Sequence, residues 1–136
     1  MNENIRINVK GTNKDSGVVE VKCSGRYALV GDVEYIRYEE CLDEADIKIN
    51  NLIKLRRGSM EMVKKGPMNS RMIFAAGQTT SCTYDTPYGS IPMQVHTKRM
   101  DIIRTDDRLR IILQYSLGMD KGQYIDCEVD INVESL

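Results

Sequence analysis

Hydrophobic and polar residues alternate along most of the chain, which is the pattern of a β-strand with one buried face. Strands that are buried on both faces, as in parallel sheets, have continuous apolar runs, so the alternation favours antiparallel pairing. The apolar positions of the clearest runs are Ile5, Ile7 and Val9; Val19, Val21 and Cys23; Ile91, Met93 and Val95; Leu109, Ile111, Leu113, Tyr115 and Leu117; and Ile125, Cys127, Val129, Ile131 and Val133.

Residues that tolerate tight or left-handed backbone separate these runs at short intervals. They lie at positions 13–17, 31–32, 50–51, 65–67, 76–77, 87–89, 105–107 and 120–122. This spacing predicts roughly eight to ten short strands in a meander. A single closed barrel is favoured because it leaves no strand edge open to aggregation. Gly25 lies inside the run 18–30, where we expect it to mark a bend or a bulge.

Residues 41–56 fit two different structures. The apolar residues Leu42, Ala45, Ile49, Leu52 and Ile53 have nearly helical spacing, and the acidic residues near the start would suit a helix N-terminus. The alternative is a hairpin with arms at 46–49 and 53–57 and a turn at 50–52. The rest of the chain is rich in strands, so we predict the hairpin.

Composition and charge narrow the class of protein. The chain of 136 residues carries a formal net charge of −1, whereas general binders of nucleic acids or membrane surfaces are strongly basic. Hydrophobic residues make up 41% of the chain, which suffices for a core. The longest apolar run, 72–76, is far shorter than the ~20 residues that span a bilayer, and the N-terminus lacks an apolar signal core. We therefore expect one soluble, cytoplasmic domain over residues 1–136, with no nucleic-acid or membrane partner.

The cysteines do not have the spacing of a structural zinc site. Cys23, Cys41, Cys82 and Cys127 form no close pair, and His96 is the only histidine. A disulfide framework is not expected without an export signal. We interpret the four cysteines as small, mostly buried hydrophobic residues and expect no metal or other cofactor.

Several segments together resemble the YwiB-like family of bacterial proteins, a domain of unknown function. The segments are Tyr-Ile-Arg-Tyr-Glu-Glu at 35–40, Arg-Arg-Gly at 56–58, Met-Asn-Ser-Arg-Met-Ile-Phe at 68–74, Tyr-Asp-Thr-Pro-Tyr-Gly at 84–89 and Val-His-Thr-Lys at 95–98. The resemblance extends from Ile5 to Val133. It implies an all-β fold, a single antiparallel calycin-like (lipocalin-like) β-barrel, and no established activity; it also supports the hairpin at 46–57. The chain has no tryptophan and therefore lacks the Gly-x-Trp signature of lipocalins.

The segment 35–40 carries the first candidate site. Alternation directs Ile36 and Tyr38 toward the barrel interior, which brings Glu40 to the barrel mouth. A carboxylate in such a place needs a cationic partner. Arg56 is the expected partner because a guanidinium can hold a carboxylate with two hydrogen bonds. The pair would be either an anchor for the polar end of a ligand or a structural ion pair between strands.

Two further segments offer candidate contacts. Residues 84–89 form a turn in which Thr86 and Tyr88 would present hydroxyl groups at the barrel rim, either as a binding loop or only to fix strand register. Six of the eight methionines lie between 60 and 100, where they would line a pliable apolar cavity or fill the core.

Charge is segregated between neighbouring segments. Residues 34–46 are mostly acidic and residues 54–71 mostly basic. We expect adjacent strands to pair acid with base. A basic patch for RNA is the alternative, which the lack of interleaved aromatic residues disfavours.

These observations give a binding hypothesis and two alternatives. We predict an uncharacterised, non-enzymatic β-barrel that binds a small, mostly apolar or amphipathic ligand through Tyr38, Glu40, Arg56, Met72, Phe74, Tyr84, Thr86 and Tyr88. A barrel filled by Met72, Phe74 and Tyr115 would instead indicate a structural or interaction module, with a homodimer as one form. A hydrolase or isomerase using Tyr38, Glu40 and His96 is least favoured, because alternation directs His96 away from the interior.

Overall fold

The fold consists of β-strands throughout the part of the chain that the computed structural model describes, residues 1–13, 17–42, 47–119 and 122–136. The strands are β1 (Asn4–Asn13), β2 (Gly17–Val30), β3 (Val33–Leu42), β4 (Ile47–Arg56), β5 (Ser59–Lys65), β6 (Asn69–Phe74), β7 (Thr79–Thr86), β8 (Gly89–Arg104), β9 (Arg108–Met119) and β10 (Gln123–Ser135). Each strand pairs with its neighbours in sequence, and β10 pairs with β1 to close the barrel. The predicted all-β antiparallel barrel is therefore confirmed.

Most of the alternating runs bury the face that their pattern predicted, whereas Val19 and Ile91 are 66% and 43% exposed. Ile5 and Ile7 in β1, Leu109 and Ile111 in β9, and Ile131 in β10 all lie in the core. The remaining fully buried apolar side chains come from the middle strands and include Ile36, Ile53, Leu55, Met60, Phe74 and Val95. One hydrophobic cluster therefore fills much of the barrel.

Residues 47–56 form neither a helix nor a hairpin. They are the single strand β4, which pairs with β3 on one side and with β5 on the other. Asn50 and Asn51, which suggested a turn, lie inside the strand, where both neighbouring ladders hold the backbone extended. The turn lies instead at Arg57 and Gly58, and Gly58 has a φ of +81°, a conformation that favours glycine. Asp46, the first residue of the predicted hairpin, lies outside the described residues.

Gly25 permits a close approach of two strands and does not mark a bulge. It pairs with Ile5 on one side and with Tyr38 on the other, with no shift of register in either ladder. A Cβ atom at this position would lie 2.5 Å from the carbonyl oxygen of Arg37. The register shift of the barrel lies in β8, between Thr97 and Arg99.

The ladder between the described residues of β2 and β3 covers only part of the two strands. The ladder between β2 and β3 runs from Val30 and Val33 to Gly25 and Tyr38, where it ends. Beyond that point, residues 17–24 of β2 continue to pair with β1, and residues 39–42 of β3 continue to pair with β4. We call this unpaired stretch, formed by residues 17–24 and 39–42, the β2–β3 seam.

The four cysteines are free thiols in different surroundings. Cys82 is buried, as predicted, and Cys23 and Cys127 are partly buried, whereas Cys41 is exposed. Within the described ranges, no three His, Cys, Asp or Glu side chains are grouped as metal ligands would be. A search of those same residues finds no helix with the length and apolar character to cross a membrane.

Candidate functional site

A cavity of about 190 Å³ lies inside one end of the barrel. It is found where β1 ends and β2 begins, and where β5 leads into β6; we call this the open end. Its lining comes from seven strands and consists of Val9, Gly11, Val19, Val21, Tyr38, Glu40, Met62, Lys64, Ser70, Met72, Phe74, Tyr115 and Val129.

The floor of the cavity is apolar. The rings of Phe74 and Tyr115 pack edge to face with their centroids 4.9 Å apart. Met62 and Met72, which are directly paired across β5 and β6, lie beside them. Such aromatic packing closes off the core beneath. The cavity therefore occupies only the open end and does not run the length of the barrel.

One wall of the cavity is polar. The strand register places Tyr38, Asn51, Lys64 and Ser70 in a single row across β3, β4, β5 and β6. Glu40 is the next inward-facing residue of β3, and its Oε1 accepts a hydrogen bond from Asn51 Nδ2 at 3.0 Å. Lys64 Nζ lies 3.4 Å from the same oxygen. Since the carboxylate and the ammonium offset one another, this wall combines polarity with little net charge.

Two hydroxyl groups on this wall make no hydrogen bond with the described part of the chain. Tyr38 is almost fully buried, and burial, reinforced by the nearby carboxylate of Glu40, raises the pKa of its phenol. The phenol therefore stays neutral and can donate or accept a hydrogen bond. Ser70 presents the second hydroxyl group to the cavity. Asn51 Oδ1, directly behind them, is also buried without a partner among the described residues.

Arg56 does not reach the site, so the predicted Glu40–Arg56 pair is wrong. Alternation turns Arg56 to the outer face of the barrel, where its guanidinium lies 3.6 Å from Glu61. Glu40 faces inward, and Lys64 takes the predicted role of its cationic partner. The sequence does contain the signal for this, because Lys64 is in phase with the inward-facing Met60 and Met62 of β5.

The turn at 86–89 does not contribute to the cavity. Thr86 Oγ1 donates a hydrogen bond to the carbonyl oxygen of Gly89 at 2.8 Å and accepts one from the Tyr88 amide at 3.2 Å. The side chain of Tyr88 is 100% exposed. Tyr84 packs against the core outside the cavity. Tyr84, Thr86 and Tyr88 therefore do not line the cavity, and the hydrogen bonds of Thr86 hold the turn. Ligand contacts at these three residues stay a prediction.

Tyr38, Glu40 and His96 do not converge. His96 lies on the outer face, as predicted, where its Nδ1 is 2.9 Å from Thr79 Oγ1. Tyr38 and Glu40 line the interior. The constellation considered for a hydrolase or isomerase is not assembled.

Acidic and basic segments pair only in part as predicted. Glu39 and Glu40 of β3 do contact Lys48 and Lys64. The other cations of the basic segment surround a carboxylate of their own segment: Lys54, Arg56 and Arg71 all lie within 4 Å of Glu61. Glu61 is buried on the outer face of β5, because the cations cover it.

The end of the barrel opposite the cavity, which we call the closed end, is sealed by a second buried carboxylate. Glu34 of β3 forms an ion pair with Arg104 and accepts a hydrogen bond from the Tyr27 hydroxyl at 2.8 Å. Burial by itself would raise the pKa of Glu34, but the hydrogen bonds from Arg104 and Tyr27 outweigh it and lower the pKa. Burial and the same hydrogen bond raise the pKa of Tyr27 to about 12.

Comparison with known proteins identifies a family and a fold. The family model described as a domain of unknown function, DUF1934, matches residues 4–131. The crystal structure of the ywiB protein from Bacillus subtilis is similar over 98% of this chain and 92% of that one, with a TM-score of 0.84 and 21% sequence identity. No curated protein matches. The similarity to the YwiB-like family inferred from the sequence is confirmed.

Proposed function

The chain belongs to the DUF1934 family of domains of unknown function, and from that premise we propose that it is a non-enzymatic protein that binds one small, neutral, amphipathic molecule at the open end of its barrel. The observation that supports this most strongly is the division of one cavity into an apolar floor and a polar wall. Ligand sites in proteins commonly combine an apolar lining with a few polar groups that fix orientation. The calycin-like character inferred from the sequence supports the proposal by analogy of fold.

The size of the cavity limits the ligand. An engineered cavity of roughly 150 Å³ accommodates benzene, and the volume here is about 190 Å³. Pockets for drug-sized ligands begin at roughly 300 Å³. We therefore propose a ligand with a single ring or a short branched chain. A long acyl chain would have to displace the packed rings of Phe74 and Tyr115.

The charge of the polar wall favours a neutral ligand. Glu40 and Lys64 offset one another, so the wall has no unpaired charge with which to attract an ionic ligand. A neutral hydroxyl or amide group can instead bond to Tyr38 and Ser70, which have hydrogen-bonding capacity left. In our proposal the wall therefore orients the ligand and takes no part in chemistry. The cytoplasmic location of the protein stays a prediction.

Native mass spectrometry of protein purified from its own host tests this proposal. We expect a co-purified mass of one small neutral molecule on the wild type. Val129→Phe, which places a ring in the cavity, should abolish that mass. Leu29→Phe is the matched control, because Leu29 is 61% exposed at the closed end and its substitution should leave the bound mass in place.

Two results of this experiment would contradict the proposal. One is the absence of any bound small molecule on the folded wild-type protein. The other is a bound molecule that Val129→Phe retains although the variant is folded. Either result would favour the alternative of a structural or interaction module, for which the filled core beneath Phe74 is the supporting observation.

A further inference from the structure

The β2 side of the β2–β3 seam is a strand edge that pairs with no described residue of β3. Residues 17–24 pair with β1 along one side, and no ladder joins their other side to the described residues of β3. An unpaired edge offers free backbone donors and acceptors, and native proteins usually cover it or place charges and bulges along it. Here the edge is regular, with no register shift against β1.

Two apolar residues at the start of this edge are also exposed. Val18 and Val19 have 58% and 66% of their surface accessible, although they point to opposite faces of β2. A strand meant to face water on one side has polar residues on that side. Val18 on the outer face and Val19 on the inner face therefore expose apolar surface at the start of this edge, and a further strand would cover part of it.

We propose that a second copy of this chain occupies the edge, with its own residues 18–24 paired antiparallel to residues 18–24 of the first copy about a two-fold axis at Val21. Antiparallel pairing of one segment with itself is the isologous contact of a two-fold dimer. In this register Val21 faces Val21 of the second copy, and Val19 faces Cys23. The dimer is thus built by continuing the sheet of one barrel into that of the other.

Charge complementarity is what selects a second copy as the occupant. Glu20 and Lys22 lie on the outer face of β2 on either side of Val21, 3.6 Å apart in the ion pair they form within one chain. With the axis at Val21, Glu20 lies opposite Lys22 of the second copy, and Lys22 lies opposite its Glu20. Opposite charges in directly facing cross-strand positions are stabilising, and like charges are destabilising. The segment is therefore complementary to itself.

The seam offers no comparable site on its other side. Residues 39–42 are a shorter edge, so pairing this edge with itself would form fewer backbone hydrogen bonds than pairing residues 18–24. A contact made through one strand edge is small, and small interfaces are typical of weak or transient complexes. We therefore expect a dimer whose population rises with protein concentration.

Analytical ultracentrifugation of charge variants over a series of concentrations tests the dimer. Lys22→Glu places Glu20 opposite a glutamate in both symmetric positions and should raise the dissociation constant about tenfold or more. Glu20→Lys should do the same with lysines. The double variant Glu20→Lys, Lys22→Glu restores opposite charges in this register and should dimerise like the wild type. Arg108→Glu is the control, because it breaks an exposed ion pair of similar length with Glu134, away from β2.

Three outcomes would overturn the proposal. The first is a wild-type protein that stays monomeric at every concentration. The second is a double variant that stays as weak as the single variants, and the third is an equal loss in Arg108→Glu. Thermal unfolding shows that each variant is folded, and exposed ion pairs of this kind are worth only about 0–1 kcal/mol to stability. No ligand enters this experiment, so its result is independent of the proposed binding function.

Discussion

The two ends of the barrel place a glutamate of the same strand in different settings. Glu34 and Glu40 both point inward from β3, and both have side chains with little exposure, 8% and 15% respectively. At the closed end, Glu34 is held by an arginine and a tyrosine hydroxyl. At the open end, Glu40 is held by an amide and a half-exposed lysine, beside a cavity.

The difference shows how one alternating strand supports structure at one end of the barrel and, in our proposal, binding at the other. Buried carboxylates are retained where partners satisfy them. Each carboxylate oxygen of Glu34 has a partner, either Arg104 or the Tyr27 hydroxyl group, and Glu34 seals its end of the barrel. The wall around Glu40 keeps the Tyr38 and Ser70 hydroxyl groups without partners among the described residues, beside empty volume. Residual hydrogen-bonding capacity next to a cavity is the reason why we propose a ligand there, and its absence at Glu34 is consistent with a purely structural role.

The largest expected effect comes from Phe74, which separates the two ends. Phe74→Ala removes a fully buried ring and its contact with Tyr115, so the free energy of unfolding should fall by about 3–4 kcal/mol. Phe74→Leu keeps most of the volume and should cost about 1 kcal/mol. Urea unfolding measures both. Equal, small losses would show that the rings do not support the core as described.

The next largest effect is the difference in unfolding free energy between variants of the two glutamates. Glu34→Gln removes the charge that Arg104 and Tyr27 surround, and should cost about 2 kcal/mol. Glu40→Gln loses only a contact with a half-exposed lysine and should cost less than about 1 kcal/mol. Chemical denaturation at neutral pH distinguishes them. A larger loss at Glu40 than at Glu34 would reverse the assignment of the two ends.

Acid should weaken the closed end. The pKa of Glu34 lies below its ordinary value of 4.5, so folding favours the ionised form. This stabilisation is complete above pH 4.5, which is the pKa in the unfolded chain, and is lost as the pH falls through the lowered pKa of the folded state. Glu34→Gln should therefore show a smaller loss of stability below pH 4.5 than the wild type.

Some acid sensitivity should persist in that variant. A hydrogen bond from Arg71 lowers the pKa of Glu61, and one from Arg110 lowers the pKa of Asp130. These carboxylates lose their stabilising interactions by the same route when they are protonated. Urea unfolding as a function of pH measures the slopes, and identical slopes for wild type and Glu34→Gln would contradict the role of Glu34.

The smallest effect is expected at Lys64. Lys64→Met keeps the stem of the side chain in the wall and removes the ammonium group, which is part of a half-exposed ion pair. The free energy of unfolding should change by only about 0.5 kcal/mol in either direction. A loss of several kcal/mol in denaturant unfolding would show that the polar wall holds the barrel together and is not mainly a surface for binding.

Alternation in the sequence predicted the barrel and the inward direction of Tyr38 and Glu40, because a period of two fixes the face of each residue once one face is buried. It did not predict the turn after β4. Asn50 and Asn51 have the composition of a turn, but pairing on both sides overrode that preference. Once the arms of a hairpin were placed wrongly, Arg56 was assigned to the interior and Asn51 was missed.

The contributions of Lys64 and Ser70 depend on strand register, which turn composition alone does not define. Each faces its row neighbours only because β4, β5 and β6 pair in the observed register. A lysine in phase with Met60 and Met62 was the available signal, but a charged residue at the end of a strand more often lies in solvent. The cavity volume also depends on how Phe74 and Tyr115 pack, which no sequence pattern describes.

The most direct test of the binding cavity is a titration with phenol, a neutral single-ring probe, followed by NMR of the methionine methyl groups. Met62 and Met72 line the cavity, whereas Met60 is buried outside it. We predict saturable shifts of the Met62 and Met72 methyl signals, little change at Met60, and no shifts in Val129→Phe. The absence of any shift in the folded wild type at saturating phenol, or equal shifts at Met60, would contradict a ligand site at the open end.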